Sequence, residues 1–173
     1  MNQLLRLPLY LLLAFILAVF APILLECFSP WVRVDFFLPL AVYIANNERI
    51  GTVAFSGWFM GILYDVVYTL PTGVGLFSLN LTMCVVAAIS QWLSIRSPVV
   101  MAAVCIPAAL FNEFVKFLVL SIMGRQTCLS FFSLLTFSFN TALVGAAVFF
   151  ILDNMNKRME IFGIKRRNKM IEK

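Results

Sequence analysis

The chain of 173 residues contains no histidine. That removes the commonest metal ligand and the commonest general base at neutral pH. Charge is scarce as well: Asp, Glu, Lys and Arg make up 12% of the residues, where a soluble domain carries about a quarter. Cysteine is limited to Cys27, Cys84, Cys105 and Cys128, with no C-x-x-C spacing, which argues against a metal site or thioredoxin-like redox chemistry. No phosphate-binding loop and no Gly-x-Ser-x-Gly element occurs. The glycine-rich piece Gly73-Val74-Gly75 lacks the lysine and the preceding strand of a nucleotide site. A membrane enzyme such as a CDP-alcohol transferase or an intramembrane protease needs clustered acids, or a nucleophile with its base. Neither pattern is present, so no enzymatic activity and no cofactor is expected.

What the chain has in abundance is apolar. It is 62% hydrophobic, with 18 phenylalanines and a mean hydropathy of +0.99. Long apolar runs recur from end to end without period-two alternation, which implies membrane-spanning helices rather than an outer-membrane barrel. Six spans are expected, at 9–28, 35–45, 51–68, 74–93, 98–123 and 131–152. Most match the roughly 20 residues that cross a bilayer. The second is too short to span upright unless it starts near Trp31 or dips in and returns. The first lacks a small-x-small cleavage site and runs into Glu26, Phe28 and Pro30, so it reads as a retained helix. The expected fold is all-α, a polytopic integral membrane bundle of about six transmembrane helices over residues 1–153, followed by a basic cytoplasmic tail at 154–173.

The basic residues orient this bundle. In a six-span arrangement Arg6, Arg49, Arg96, Lys157, Arg158, Lys165, Arg166, Arg167, Lys169 and Lys173 fall on one side. Only Arg33 and Arg125 fall on the other, and Lys116 lies within a span. The positive-inside rule then places both termini in the cytoplasm. The net charge of +5 resides mostly in the tail. It reads as an anchor to anionic lipid headgroups rather than a nucleic-acid site, with docking to a cytoplasmic partner the alternative. Cys27 and Cys128 both fall near the external side, but nothing in the sequence fixes the distance a disulfide needs.

The polar residues inside the spans are few and informative, since ionisable groups in a membrane usually face a bundle interior or cavity. The fifth span holds Asn112, Glu113 and Lys116. Glu113 and Lys116 are three apart and can pair on one helix face, with Asn112 close to the same face. Such a trio can line a substrate site or act as polar packing between helices. Packing is the favoured reading, because a lone pair without further acids does not make a proton relay.

The third span carries a stripe, Gly57, Gly61 and Asp65, at four-residue spacing and therefore on one helix face. Small residues there let another backbone approach closely. A carboxylate at the C-terminal end of a helix is opposed by the macrodipole. It becomes favourable if it reaches the free N–H groups that begin the next helix, just past the turn formed by Pro71, Thr72 and Gly73. Asp65 is therefore expected to cap the fourth helix across its own loop. A cation or proton site at Asp65 is the alternative, without a second acid or histidine to support it.

The order of elements from Val34 to Gly75 resembles the rod shape-determining MreD family. The resemblance rests on Asp35 and Pro39 leading a short hairpin, then Gly57, Gly61, Leu63 and Asp65, then Pro71, Gly73 and Gly75. Glu113 is similar to an acidic residue often found in the penultimate helix of that family. Length, span count and cytoplasmic termini fit, so the resemblance covers most of the chain; the long basic tail and Lys116 depart from it. It implies a non-catalytic component of the cell-elongation machinery in the bacterial inner membrane, which scaffolds or regulates lateral peptidoglycan synthesis. The implied partners are a bitopic MreC-like protein, the filament MreB, the glycosyltransferase RodA and its class B penicillin-binding transpeptidase. Gly57, Gly61, Asp65, Pro71, Gly73 and Gly75 would then be helix-packing or partner-docking positions. The runner-up is a substrate-binding S component of an energy-coupling factor vitamin transporter, an architecture that the bundle also resembles. In that family an Ala-x-x-x-Ala stripe like Ala14 and Ala18 docks on the transmembrane partner. A vitamin pocket needs several converging polar ligands. The external loops offer few, chiefly Arg33, Asp35, Asp65, Thr69, Thr72, Arg125 and Gln126.

Overall fold

The computed structural model describes residues 3–27, 34–92, 97–125 and 131–171, with side chains of the first segment described over 8–20, those of the third except at 98, and those of the last over 132–154. Arg33, Arg96, Gln126, Cys128 and Lys173 lie outside the described residues, and so do the side chains of Arg6, Cys27 and the basic residues beyond Asn154. The proposed Cys27–Cys128 pairing and the contacts of the tail fall there too.

Six helices make up the described chain: α1 Gln3–Cys27, α2 Phe37–Asn47, α3 Ile50–Val67, α4 Val74–Trp92, α5 Pro98–Ile122 and α6 Phe131–Ile171. No strand occurs among the described residues. The protein is a membrane helical bundle: α3, α4, α5 and the first part of α6 are long and apolar enough to cross a bilayer, by length and composition. A shorter apolar stretch in α1 covers Pro8–Phe20. At 41 residues α6 is longer than the expected sixth span and continues as helix through the basic tail, so no break in the helix marks residue 153. Its rise corresponds to about 62 Å.

The short second helix sits at the centre. Its 11 residues rise only about 16 Å, half of a hydrocarbon core. Every residue from Phe37 to Ala45 is buried, as a helix apolar all round must be if it is to avoid water. α2 touches all five other helices, which stand round it in an arc, with α1 against α3, α3 against α4, α4 against α5 and α5 against α6. Rings of α2 interlock with its neighbours: Phe37 meets Tyr64 edge-on at 5.7 Å between centroids, and Tyr43 stacks on Phe149 at 6.2 Å. Phe55, Trp58, Phe77, Phe114, Phe139 and Phe150 point outward, where hydrocarbon rather than water is their natural neighbour.

Chain reversals follow local chemistry. Pro39 falls in the first turn of α2, where its missing N–H is no loss. Pro98 opens α5 for the same reason. α5 closes with a Schellman motif: the Arg125 N–H donates to the Leu120 carbonyl at 3.0 Å, the Gly124 N–H donates to that of Ser121 at 3.0 Å, and Gly124 takes φ +73°. α3 ends on the same long bond, from the Leu70 N–H to the Asp65 carbonyl at 3.0 Å. Here the left-handed position is occupied by Thr69, at φ +50°. A β-branched residue there is strained.

Candidate functional site

Two clusters of polar groups meet on adjacent residues of α3. The first is the α3–α4 turn. One oxygen of Asp65, Oδ2, accepts from the Gly73 N–H at 2.8 Å and from the Leu76 N–H at 3.4 Å; Oδ1 accepts from the Gly75 N–H at 2.6 Å. The Val74 N–H donates to the Pro71 carbonyl at 3.1 Å, and the helical ladder takes over with the Phe77 N–H donating to the Gly73 carbonyl at 2.9 Å. Every orphan donor at the start of α4 is thereby satisfied, three of them by one carboxylate. The negative charge lies at the positive end of the α4 dipole, which reverses the penalty it meets at the end of α3.

Glycine is needed for this closeness. A Cβ at Gly61 would run into the α-carbon of Leu76 on the facing backbone. One at Gly75 would lie 2.6 Å from both Asp65 Oδ1 and Tyr64 Cδ1. One at Gly57 would press Asn80 Oδ1 and Met83 Sδ at 3.1 Å. Gly73 has open space around it, but its φ of +99° excludes other residues without strain.

The second cluster begins at Tyr64, the neighbour of Asp65. The Tyr64 hydroxyl donates to Asp35 Oδ2 at 2.8 Å and accepts from Lys116 Nζ at 2.9 Å. Lys116 also forms an ion pair with Glu113, one turn away on α5. Asp35 Oδ1 accepts from the N–H groups of Phe37 and Leu38 at 2.9 and 3.1 Å, and so caps α2. The Asp35 N–H donates to Thr141 Oγ1 on α6 at 3.2 Å, and the Tyr68 hydroxyl donates to the Val34 carbonyl at 3.3 Å. Non-helical backbone at membrane depth is tolerated only where protein covers it. Residues 34–36 are buried, and side chains from α6 and from Tyr68, just past the end of α3, satisfy these two of their polar groups. Lys116 Nζ also stands 5.1 Å from the centroid of the Tyr64 ring. One hydroxyl thus joins α2, α3 and α5.

Asn112 is the exception. It has no exposed surface, and neither atom of its amide finds a hydrogen-bond partner among the described residues. It lies one helical turn from Lys116, on the buried face of α5, yet takes no part in the cluster.

The model of the family described as rod shape-determining protein MreD matches residues 1–158. The chain belongs to the MreD family. No curated protein and no solved structure matches it significantly. MreD proteins are shape-determining membrane components, and the bundle found here is of that kind.

In this MreD chain the glycine stripe and the turn come together as one unit: Gly57, Gly61, Asp65, Pro71, Gly73 and Gly75 all lie along the α3–α4 hairpin. Glu113 and Lys116 join each other and Tyr64, whereas Asn112 stays apart. Asp35 is a correction. Counted from the sequence among the external polar groups, it is wholly buried and committed to α2, Tyr64 and Thr141. Tyr64, Tyr68 and Thr141 were missed. The available signal was that a tyrosine buried in an apolar helix requires a partner for its hydroxyl. Of the free cysteines, Cys105 is buried and Cys84 is exposed on the outward side of α4. Among the described residues no group of three or more Cys, Asp or Glu side chains is placed to hold a metal ion.

Proposed function

We propose that this MreD protein is a non-catalytic adaptor of the bacterial inner membrane, multi-pass with both termini in the cytoplasm. It scaffolds or regulates lateral peptidoglycan synthesis by docking a bitopic MreC-like partner and working alongside MreB, RodA and its class B penicillin-binding transpeptidase. The observation that carries this reading is the family match over residues 1–158. The geometry supports it. The carboxylates of Asp35 and Asp65 are occupied by bonds that hold helices together, which leaves them as structural groups rather than reacting ones. The α3–α4 hairpin, held by Gly61 and by the Asp65 cap, keeps the bundle rigid and so supports a docking surface elsewhere on it. The excess of basic residues at one end of the bundle sets the orientation, and the tail meets anionic headgroups.

The test is purification from membranes after mild crosslinking, with identification of what is recovered. Co-purification of the MreC-like protein and the wall synthases, lowered by Gly61→Leu or Asp65→Ala, is the expected result. Recovery of an ATPase pair with a transmembrane coupling subunit, or of a bound vitamin, would overturn the adaptor reading in favour of an energy-coupling factor S component.

A further inference from the structure

The second cluster sets two acidic side chains against one basic one. Asp35 and Glu113 share one lysine: Glu113 pairs with Lys116 directly, and Asp35 is linked to it through the Tyr64 hydroxyl. The two acids are closed off to different degrees. Asp35 has no exposed surface and accepts from Tyr64 and two backbone N–H groups. The Glu113 side chain is 23% exposed. By helical spacing it borders the stripe of Leu110, Phe114 and Leu118, which are exposed on the outward face of α5.

Depth makes this exposure unusual. Glu113 is nine residues from Ile122 and fifteen from Pro98 along α5, or about 14 and 22 Å from the two helix ends. By length and composition that places it inside the apolar span Val99–Ile122, more than two helical turns from either end of α5. A carboxylate offers about four acceptor positions. Lys116 occupies one oxygen of Glu113. Lipid tails supply no donor for the others, and an uncovered carboxylate at that depth is costly.

We propose that the outward face of α5 formed by Leu110, Glu113, Phe114 and Leu118 docks a transmembrane helix of the bitopic partner, and that Glu113 accepts a hydrogen bond from a donor side chain on that helix at mid-bilayer depth. The partner's chemistry follows from the surplus acid: an apolar helix carrying one hydroxyl, amide, indole or cationic donor. A helix is the form such a segment takes, because a lone strand leaves its backbone unpaired in lipid. Interhelical hydrogen bonds of this kind hold membrane helices in register. The inference rests on the adaptor reading above and names the surface through which it acts.

The experiment uses the full chain co-expressed with the MreC-like protein in native membranes. A photo-crosslinking amino acid is placed at position 114 on the proposed face, or at position 55 on the outward side of α3. The expected result is a crosslink from 114 and not from 55. Glu113→Leu lowers its yield about three- to tenfold, the scale of one interhelical hydrogen bond, and Glu113→Gln, which keeps an acceptor oxygen, restores most of it. Leu110→Trp blocks the same crosslink by bulk without touching the buried cluster, which covers the case that Glu113→Leu fails to fold. A crosslink at 114 indifferent to both Glu113→Leu and Leu110→Trp would overturn the proposal. So would co-purification of the partner with crosslinks from 55 alone, an outcome that leaves the adaptor reading standing. Absence of both crosslinks and co-purification would remove the adaptor reading along with the surface.

Discussion

Replacing Asp65 by alanine tests the structure at its most connected surface-end residue. Asp65 is only 6% exposed, so water does not step in when the carboxylate is removed. Three donors, on Gly73, Gly75 and Leu76, lose their acceptor together. A cap of ordinary strength is worth about 1 kcal/mol, and a hydrogen bond to a charged group about 1.5–3 kcal/mol. The three bonds share one carboxylate and are not additive, and the 3.4 Å bond to Leu76 is long for its kind. The expected loss is therefore about 2–4 kcal/mol. Asp65→Asn loses more than half as much, since its amide can present an oxygen to one side of the turn only and sets N–H against N–H on the other. Thermal unfolding of the purified protein in detergent gives the global loss. Hydrogen exchange gives the local one, with the amides of Gly75 and Leu76 speeding up ahead of the rest of α4. A loss under about 0.5 kcal/mol, the range of an ordinary surface change, with unaltered exchange at those amides, would refute the reasoning.

Three further outcomes follow from the same geometry. Asn112→Leu removes a buried amide that bonds to nothing among the described residues, so stability should rise by about 1–2 kcal/mol; a loss of similar size in detergent denaturation would mean that the amide has a partner after all. Lys116→Met leaves Glu113 and the Tyr64–Asp35 bond without their cation, and should cost about 3–5 kcal/mol, read as a lower midpoint of unfolding. A second change, Glu113→Gln, should recover part of that loss by removing one unpaired charge. Thr69→Gly relieves a β-branched residue at φ +50° at the close of α3, and should stabilise by about 1 kcal/mol; an unchanged or lower melting temperature would show that the Thr69 side chain gains more than its backbone loses.

Local chemistry was legible in the sequence and long-range chemistry was not. The carboxylate of Asp65 and the donors it meets lie within eleven residues of one another, so a stripe, a turn and a macrodipole were enough to connect them. The same holds for Glu113 and Lys116, three apart on one helix. Asp35 shows the opposite. Its partners Tyr64 and Thr141 are 29 and 106 residues away, and without them the residue looks like any polar group in a connection. Only the burial of α2 brings them together, and burial depends on five other helices at once. The length of α2 could be read, but its central position could not. The extent of α6 was also out of reach, because the loss of apolar residues after Leu152 marks the edge of a membrane span and not the end of a helix.

The enclosure of α2 has a consequence for how the protein is made. A segment of 11 residues headed by a buried aspartate is a poor candidate for independent insertion into a bilayer. As the chain emerges, α2 precedes α3, α4, α5 and α6, the helices that supply most of its neighbours. Its final place therefore depends on segments not yet synthesised, and a nascent chain ending before Lys116 and Thr141 lacks the groups that settle the Asp35 end. Biogenesis of this bundle is in that sense retroactive: the helices made after α2 complete its enclosure.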